Sequence, residues 1–152
     1  AITYRAPSDT AGEVMFFAGP LGYRPNADAV SWFIGGVLTR IRVPAPQPGT
    51  RSTYLKFREK QSLDFALSSV AAVLTMEGRK VESARLVLGG VAPIPYRVPK
   101  AEAELEGKAL STETIAKAAE VAVAGAQPLS DNEFKVALTR NLVRRALESL
   151  AG

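Results

Sequence analysis

Residues 63–88, LDFALSSVAAVLTMEGRKVESARLVL, contain two apolar runs joined by a short polar turn. The first run, Leu63 to Met76, is apolar or small on both faces, which is typical of a strand covered on both sides. A buried helix could show the same run. The turn at residues 77–80 and the strand-like run from Val81 to Leu88 favour the strand, because the two runs can then pair as an antiparallel hairpin.

Two further strands are expected upstream of this hairpin. Residues 37–43 alternate apolar and polar side chains after Leu38, as a half-buried strand does. Residues 44–49 are rich in proline and form a stiff link that ends this strand. Residues 52–57 then predict another short strand, so the antiparallel sheet would contain about three to four strands.

Two helices are expected near the C-terminus. Ser111 is placed to cap a helix that runs to about Ala124, and Gly125 is available to stop it. Ser130 and Glu133 have the spacing of a capping box that opens a last helix. The apolar stripe of that helix consists of Phe134, Leu138, Leu142, Ala146 and Leu150. Strands followed by helices predict an α+β fold, with the helices packed on one face of the sheet.

The composition excludes several kinds of chemistry. The chain of 152 residues has neither cysteine nor histidine. It therefore lacks thiolate and imidazole ligands for a metal or an iron–sulfur cluster, and it cannot form a disulfide or a Ser-His-Asp triad. No stretch approaches the roughly 20 apolar residues of a membrane span, and the N-terminus has no secretory signal pattern. By default, these features predict a cytoplasmic protein.

Carboxylates could still supply acid–base or metal chemistry. Glu102, Glu104 and Glu106 lie in one short stretch, but a spacing of two residues separates the faces of a helix. We therefore expect a solvated surface there rather than a paired acid and base. A metal site built from carboxylates alone would draw on Asp9, Glu13 and Asp28. No loop has the spacing of a calcium site, so we expect no metal.

The net charge of +4 raises the question of a polyanionic partner. The densest basic group consists of Arg51, Lys56, Arg58 and Lys60, with the aromatic residues Tyr54 and Phe57 between them. Such a group could stack against single-stranded nucleic acid, so a basic nucleic-acid module is one hypothesis. Modest basicity is also common in subunits that dock on an acidic neighbour, and we favour partners that are neither nucleic acid nor membrane.

Residues 88–107, LGGVAPIPYRVPKAEAELEG, join a strand to a proline-stiffened link and a short helix. Together with residues 56–66, KFREKQSLDFA, this stretch resembles the C-terminal domain of the FAD-binding (medium) subunit of molybdenum hydroxylases, the xanthine and carbon monoxide dehydrogenase family. The resemblance implies that residues 37–152 form that C-terminal domain. It also implies that residues 1–36 are a shortened remnant of the flavin-binding part.

The resemblance also implies which residues face the cofactor. Lys56 would approach the isoalloxazine ring, Leu38 would contact the ring, and Ser8 with Asp9 would end a flavin-binding loop near the polar chain of FAD. A cation close to the carbonyl end of the ring stabilises the negative charge of reduced flavin. Without the resemblance, Lys56 would be a surface lysine, Leu38 a core residue, and the Ser-Asp pair a turn or a helix cap.

The function implied by the resemblance is that of an oxidoreductase subunit with no independent catalysis. In the family, electrons leave a molybdenum cofactor, cross [2Fe–2S] clusters and reach FAD, which passes them to an acceptor. The molybdenum and iron–sulfur centres lie in partner subunits. The glycine-rich loops that wrap the FAD pyrophosphate have no counterpart in this chain, so we expect weak or no FAD binding by the chain alone. A cofactor-free structural or interaction module with the same fold is the alternative.

Overall fold

The computed structural model describes residues 2–5, 14–17, 45–60 and 65–151. The chain divides into two compact units, Ala1–Pro46 and Gln47–Gly152. In the first unit, β1 (Ile2–Arg5) and β2 (Val14–Phe17) pair as an antiparallel two-stranded sheet. The strand expected at residues 37–43 lies outside the described residues.

The second unit is built on a four-stranded antiparallel sheet in the order β3-β4-β5-β6. Its strands are β3 (Thr50–Phe57), β4 (Ser68–Glu77), β5 (Lys80–Gly89) and β6 (Tyr96–Arg97). The expected hairpin is confirmed, because β4 and β5 pair antiparallel with Val70 opposite Leu88. Gly78 lies in the turn with φ of +59°, a conformation that glycine adopts without strain.

The helices pack on one face of this sheet, which confirms the α+β fold. In the described residues they are α1 (Pro99–Leu105), α2 (Thr112–Val123) and α3 (Phe134–Ala151). Along β4, Val70, Ala72 and Leu74 are fully buried in the core, whereas Val73 on the opposite face is 40% exposed. The expectation that β4 is covered on both sides is therefore wrong at the middle of the strand.

Ser111 caps α2 as the sequence predicts. Its Oγ accepts a hydrogen bond from the backbone N–H of Thr114 at 3.2 Å. This bond satisfies one of the N–H groups that the first turn of a helix leaves without a partner. The helix ends at Val123, close to the expected stop, and its buried face consists of Ile115, Ala118, Ala119 and Ala122.

The start of α3 differs from the sequence expectation. The capping box at Ser130 predicts a helix that includes Asp131, but Asp131 has φ of +68° and cannot continue a right-handed helix. The helix begins at Phe134 instead. The expected stripe takes every fourth residue, and residues four apart are offset by about 40° around a helix. A stripe that faces the core at the C-terminal end of the helix therefore turns away from the core at the N-terminal end. Phe134 is accordingly 55% exposed, whereas Leu142 and Leu150 are buried.

The outer edge of β5 is closed mainly by α1. The β6 strand pairs with two residues of β5 only, Val87 and Leu88. Further along the edge, the backbone N–H of Leu86 donates to Glu102 Oε1 at 2.9 Å, and that of Ala84 donates to Glu106 Oε1 at 3.2 Å. Four residues of helix rise about 6 Å, close to the roughly 6.8 Å between alternate strand residues. The two carboxylates therefore match the spacing of the two N–H groups.

Glu102 is the buried member of this pair, with 3% of its surface exposed. Arg97 binds it through two hydrogen bonds, Nε to Oε1 at 3.0 Å and Nη2 to Oε2 at 2.6 Å. Burial alone would raise the pKa of Glu102, but the hydrogen bonds from Arg97 and from the N–H of Leu86, with the charges of Arg97 and Arg85, lower it overall. The expectation of a solvated surface is wrong for Glu102.

Backbone contacts continue this edge beyond a β-bulge. The register of β4 and β5 shifts between Thr75 and Met76, so that Met76 pairs with Val81. The N–H of Val81 donates to the carbonyl of Lys108 at 2.9 Å, and the carbonyl of Val81 accepts from Gly107 at 2.8 Å. The strand edge is thus hydrogen-bonded on both sides of the bulge, which removes a site for edge-to-edge association.

We predict that Glu102→Ala lowers the free energy of unfolding by about 2–3 kcal/mol, measured by urea denaturation. The substitution leaves the N–H of Leu86 without an acceptor and Arg97 without its carboxylate. Glu106→Ala is the matched control, because Glu106 accepts the next N–H of the edge but is exposed. It should cost about 1 kcal/mol or less, since water can replace its carboxylate. Equal losses in the two variants would contradict this account.

The lowered pKa of Glu102 also predicts an acid dependence of stability. A glutamate whose folded pKa lies below its unfolded value stabilises the fold above the ordinary glutamate pKa of about 4.3. That stabilisation is lost as the pH falls through the folded pKa. Thermal melts from about pH 5 to about pH 3 should therefore show a steeper fall in Tm for the wild type than for Glu102→Gln. Parallel curves would show that Glu102 does not contribute to the acid sensitivity.

Candidate functional site

Lys56 lies on the sheet face that the helices leave open. Alternate residues of β3 point to opposite faces, and Leu55 packs against the core, so Tyr54 and Lys56 share the other face. Lys56 pairs with Ser69 of β4, whose small side chain leaves the lysine exposed. The ammonium group makes no hydrogen bond or ion pair with any residue that the structure describes.

The residues beside Lys56 on this face are largely apolar. Tyr54 pairs with Ala71, and Ala71 pairs in turn with Val87 of β5. Small side chains on neighbouring strands leave a shallow surface with an aromatic ring and a cation at its β3 edge. We call this surface the open face. It fits one side of a planar ring that gains negative charge, because it offers apolar contact and a positive charge together.

The described residues offer no cradle for the pyrophosphate of FAD. Such a cradle combines a glycine-rich loop with the N-terminus of the helix that follows it. Within the described residues, α1 begins at Pro99 and α2 is capped by Ser111, and neither follows a glycine-rich loop. The fit to FAD is therefore limited here to the ring.

Of the four residues that the resemblance assigns to the flavin, Lys56 is the one that the structure describes. Leu38, Ser8 and Asp9 lie outside the described residues, so their roles stay predictions. The carboxylates considered for a metal, with Asp9 among them, lie outside as well. Among the described residues, no group of three acidic side chains is placed to hold a metal ion.

The basic stretch of β3 is divided between the two faces of the sheet. Arg51 points to the helix side, where its Nη1 donates to the carbonyl of Leu150 at 2.7 Å. The last turn of α3 contains no basic residue, so Arg51 supplies the positive charge that a helix C-terminus favours. Lys56 is on the other face. The division argues against a single stacking surface for nucleic acid along this strand.

A cleft of about 560 Å³ lies beside the C-terminal end of β5. One wall is formed by residues 91, 92 and 96–100, and the other by residues 124–128 with the adjoining turns of α2 and α3. Lys135 ties the two walls together, because its Nζ donates to the carbonyl of Gly90 at 3.0 Å. Sequence reasoning missed this cleft, since residues 91–95 had the character of a connector and contain no charged or catalytic side chain.

Comparison with known proteins places this fold in a family. Residues 52–150 match the model of the CO dehydrogenase flavoprotein C-terminal domain. The chain belongs to this family. The resemblance seen in the sequence is thus confirmed, and the matched region includes Lys56 and the whole edge formed by α1. It does not include Leu38, Ser8 or Asp9.

Relatives at the level of sequence are subunits of oxidoreductases. The carbon monoxide dehydrogenase medium chain of Hydrogenophaga pseudoflava is 33% identical over 144 residues, which cover 86% of this chain and 50% of the relative. The aldehyde oxidoreductase FAD-binding subunit of Escherichia coli is 32% identical over 132 residues, which cover 86% of this chain and 37% of that subunit. The chain therefore spans half or less of the length of these relatives.

Solved structures show the same fold. Carbon monoxide dehydrogenase from Hydrogenophaga pseudoflava superimposes with a TM-score of 0.66 and 36% identity, over 71% of this chain and 39% of that chain. Quinoline 2-oxidoreductase from Pseudomonas putida 86 gives a TM-score of 0.63 and 29% identity, over 70% of this chain and 39% of that chain. Within the described residues, no helix combines the length and the apolarity needed to cross a bilayer.

Proposed function

We propose that this chain is part of the FAD-containing electron-transfer subunit of a molybdenum-dependent hydroxylase or dehydrogenase. The observation that carries the proposal is the position of Lys56. It is an exposed cation on the open face, inside the region that matches the flavoprotein family. The relatives named as an FAD-binding subunit and as medium chains support a cofactor-bearing role in a larger assembly.

In this role FAD supplies the redox chemistry, and Lys56 supplies a fixed positive charge. The charge favours the reduced, negatively charged ring over the oxidised, neutral ring, because its Coulomb attraction acts on the reduced form alone. The small apolar side chains of Ala71 and Val87 offer a contact that does not compete for the hydrogen bonds of the ring. We infer that Leu38 contacts the ring, and that Ser8 and Asp9 meet the polar chain of FAD.

The remaining redox centres would belong to partner subunits. The chain has no cysteine, so it cannot supply the thiolates of a [2Fe–2S] cluster. We infer that an iron–sulfur subunit delivers electrons to FAD from a subunit that holds the molybdenum cofactor. We also assign residues 37–152 to the C-terminal domain of the flavoprotein subunit and residues 1–36 to the remnant of its flavin-binding part.

The isolated chain should bind FAD weakly or not at all. Contacts to the ring alone leave the charged pyrophosphate without donors, and the binding free energy must also offset the lost freedom of the ligand. A titration of the purified chain followed by flavin fluorescence should give a dissociation constant in the micromolar range or weaker. Tight, stoichiometric binding would contradict this expectation. A purified assembly without flavin absorbance would instead favour the cofactor-free interaction module.

The role of Lys56 predicts the effect of Lys56→Met in the assembled flavoprotein. The flavin midpoint potential should fall by on the order of tens of millivolts, because a nearby cation no longer stabilises the reduced ring. The Tm should not change, since the side chain is exposed and methionine keeps its length. A redox titration beside a thermal melt measures both quantities.

Two variants serve as controls for this experiment. Lys56→Arg keeps the charge and should keep the potential close to that of the wild type. Lys80→Met removes an exposed lysine at the hairpin turn. Lys80 lies at the start of β5, whereas the β5 residues that pair toward Lys56 lie at the end of that strand. It should change neither quantity. An unchanged potential in Lys56→Met would make Lys56 an ordinary surface lysine.

A further inference from the structure

Exposed apolar side chains occur in the lining of the cleft and next to it in the sequence. Nine large apolar residues of the described chain are exposed, and five of them line the cleft or lie within two residues of its lining. These five are Val91, Ile94, Tyr96, Leu129 and Phe134, and we call them the apolar rim. Ile94 is 71% exposed and Leu129 is 75% exposed. An exposed apolar group of this kind beside a cleft is typical of an interaction surface.

The cleft is held in shape by backbone and side-chain contacts. Gly90 has φ of +73°, and a Cβ at this position would lie 2.8 Å from the carbonyl oxygen of Ala66, so the chain leaves β5 in one tight conformation. Lys135 then fixes Gly90 to the first turn of α3. A surface that is already ordered loses little conformational freedom when a partner binds.

The described charged residues that line the cleft all carry positive charge. Among the described residues that line it, the charged ones are Arg97, Lys100 and Lys135, and none is acidic. Arg97 is neutralised by Glu102, whereas Lys135 donates to a neutral carbonyl and Lys100 has no ion pair in the described chain. Asp131 and Glu133 are exposed on the neighbouring loop, but they are not part of the lining. Lys100 and Lys135 therefore leave uncompensated positive charge at the cleft.

One further group in the cleft lacks a partner. The side-chain Oδ1 of Asn132 lines the cleft, is buried and accepts no hydrogen bond from the part of the chain that the structure describes. A buried acceptor without a donor costs free energy, so a backbone N–H from a bound segment would stabilise it. The cleft thus combines apolar contact, an available acceptor and positive charge.

We propose that the cleft and the apolar rim dock an acidic partner polypeptide of the assembly. An apolar side chain of the partner enters the cleft, and a neighbouring carboxylate pairs with Lys100. The proposal rests on the proposed function in one respect, that the chain is a subunit of a larger enzyme. Charge favours this occupant over a second copy of the chain, which has a net charge of +4.

The test uses the complete subunit and its purified partner subunits. The double variant Ile94→Asp/Leu129→Asp should raise the dissociation constant of the assembly about tenfold or more, because buried apolar anchors dominate interface energies. Lys100→Glu should slow association and weaken its dependence on salt. Ala116→Asp is the control for an added carboxylate, since it introduces one at an exposed position of α2 away from the cleft. It should leave the affinity unchanged.

Several results would overturn the proposal. Wild-type affinity in a double variant with an unchanged Tm would show that no partner covers the rim. A large fall in the Tm of the double variant would show that the rim packs within its own subunit. If Lys100→Glu associates at the wild-type rate and with the wild-type salt dependence, the role of charge is contradicted independently of folding. Self-association of the wild type that the double variant loses would identify a second copy as the occupant. The flavin content and midpoint potential of the Lys56 variants test the proposed function on their own. Failure of the proposed function can therefore be distinguished from failure of the docking proposal.

Discussion

The hydrogen bond from the backbone N–H of Leu86 to the carboxylate of Glu102 is the contact on which the rest of the domain depends. It places a helix side chain where a further strand would otherwise pair. The cost of burying that carboxylate is offset by two hydrogen bonds from Arg97 and by the charge of Arg85 nearby. The contact therefore ends the sheet and fixes α1 against it in one step.

The open face and the cleft both follow from this arrangement. With α1 held along β5 and the longer helices on one face, the opposite face of β3 and β4 stays open and presents Lys56. The same α1 begins at Pro99, which lines the cleft, and Arg97 joins the cleft to the buried carboxylate. A change at Glu102 is thus expected to disturb the cleft more than the open face, because the cleft shares Arg97 with it.

The sequence predicted the features that arise from local patterns. The hairpin of β4 and β5 and the cap at Ser111 depend on neighbouring residues, and both are confirmed. The role of Glu102 was missed because it was compared with Glu104, which lies on another face of the helix, and not with Glu106 one turn away. The position of Arg51 was missed since a helix end 99 residues later accepts its hydrogen bond. The assignment of Lys56 to a flavin came from resemblance, and no local pattern distinguishes it from a surface lysine.

Amide hydrogen exchange in the wild type and in Glu102→Ala tests the central claim most directly. If the carboxylate closes the sheet edge, the N–H of Leu86 should be protected in the wild type and exchange about tenfold faster or more in the variant. The N–H of Leu74, in the middle of β4, should change only as much as global stability changes. Equal protection of Leu86 in the two proteins would contradict the claim that Glu102 holds the edge of the sheet.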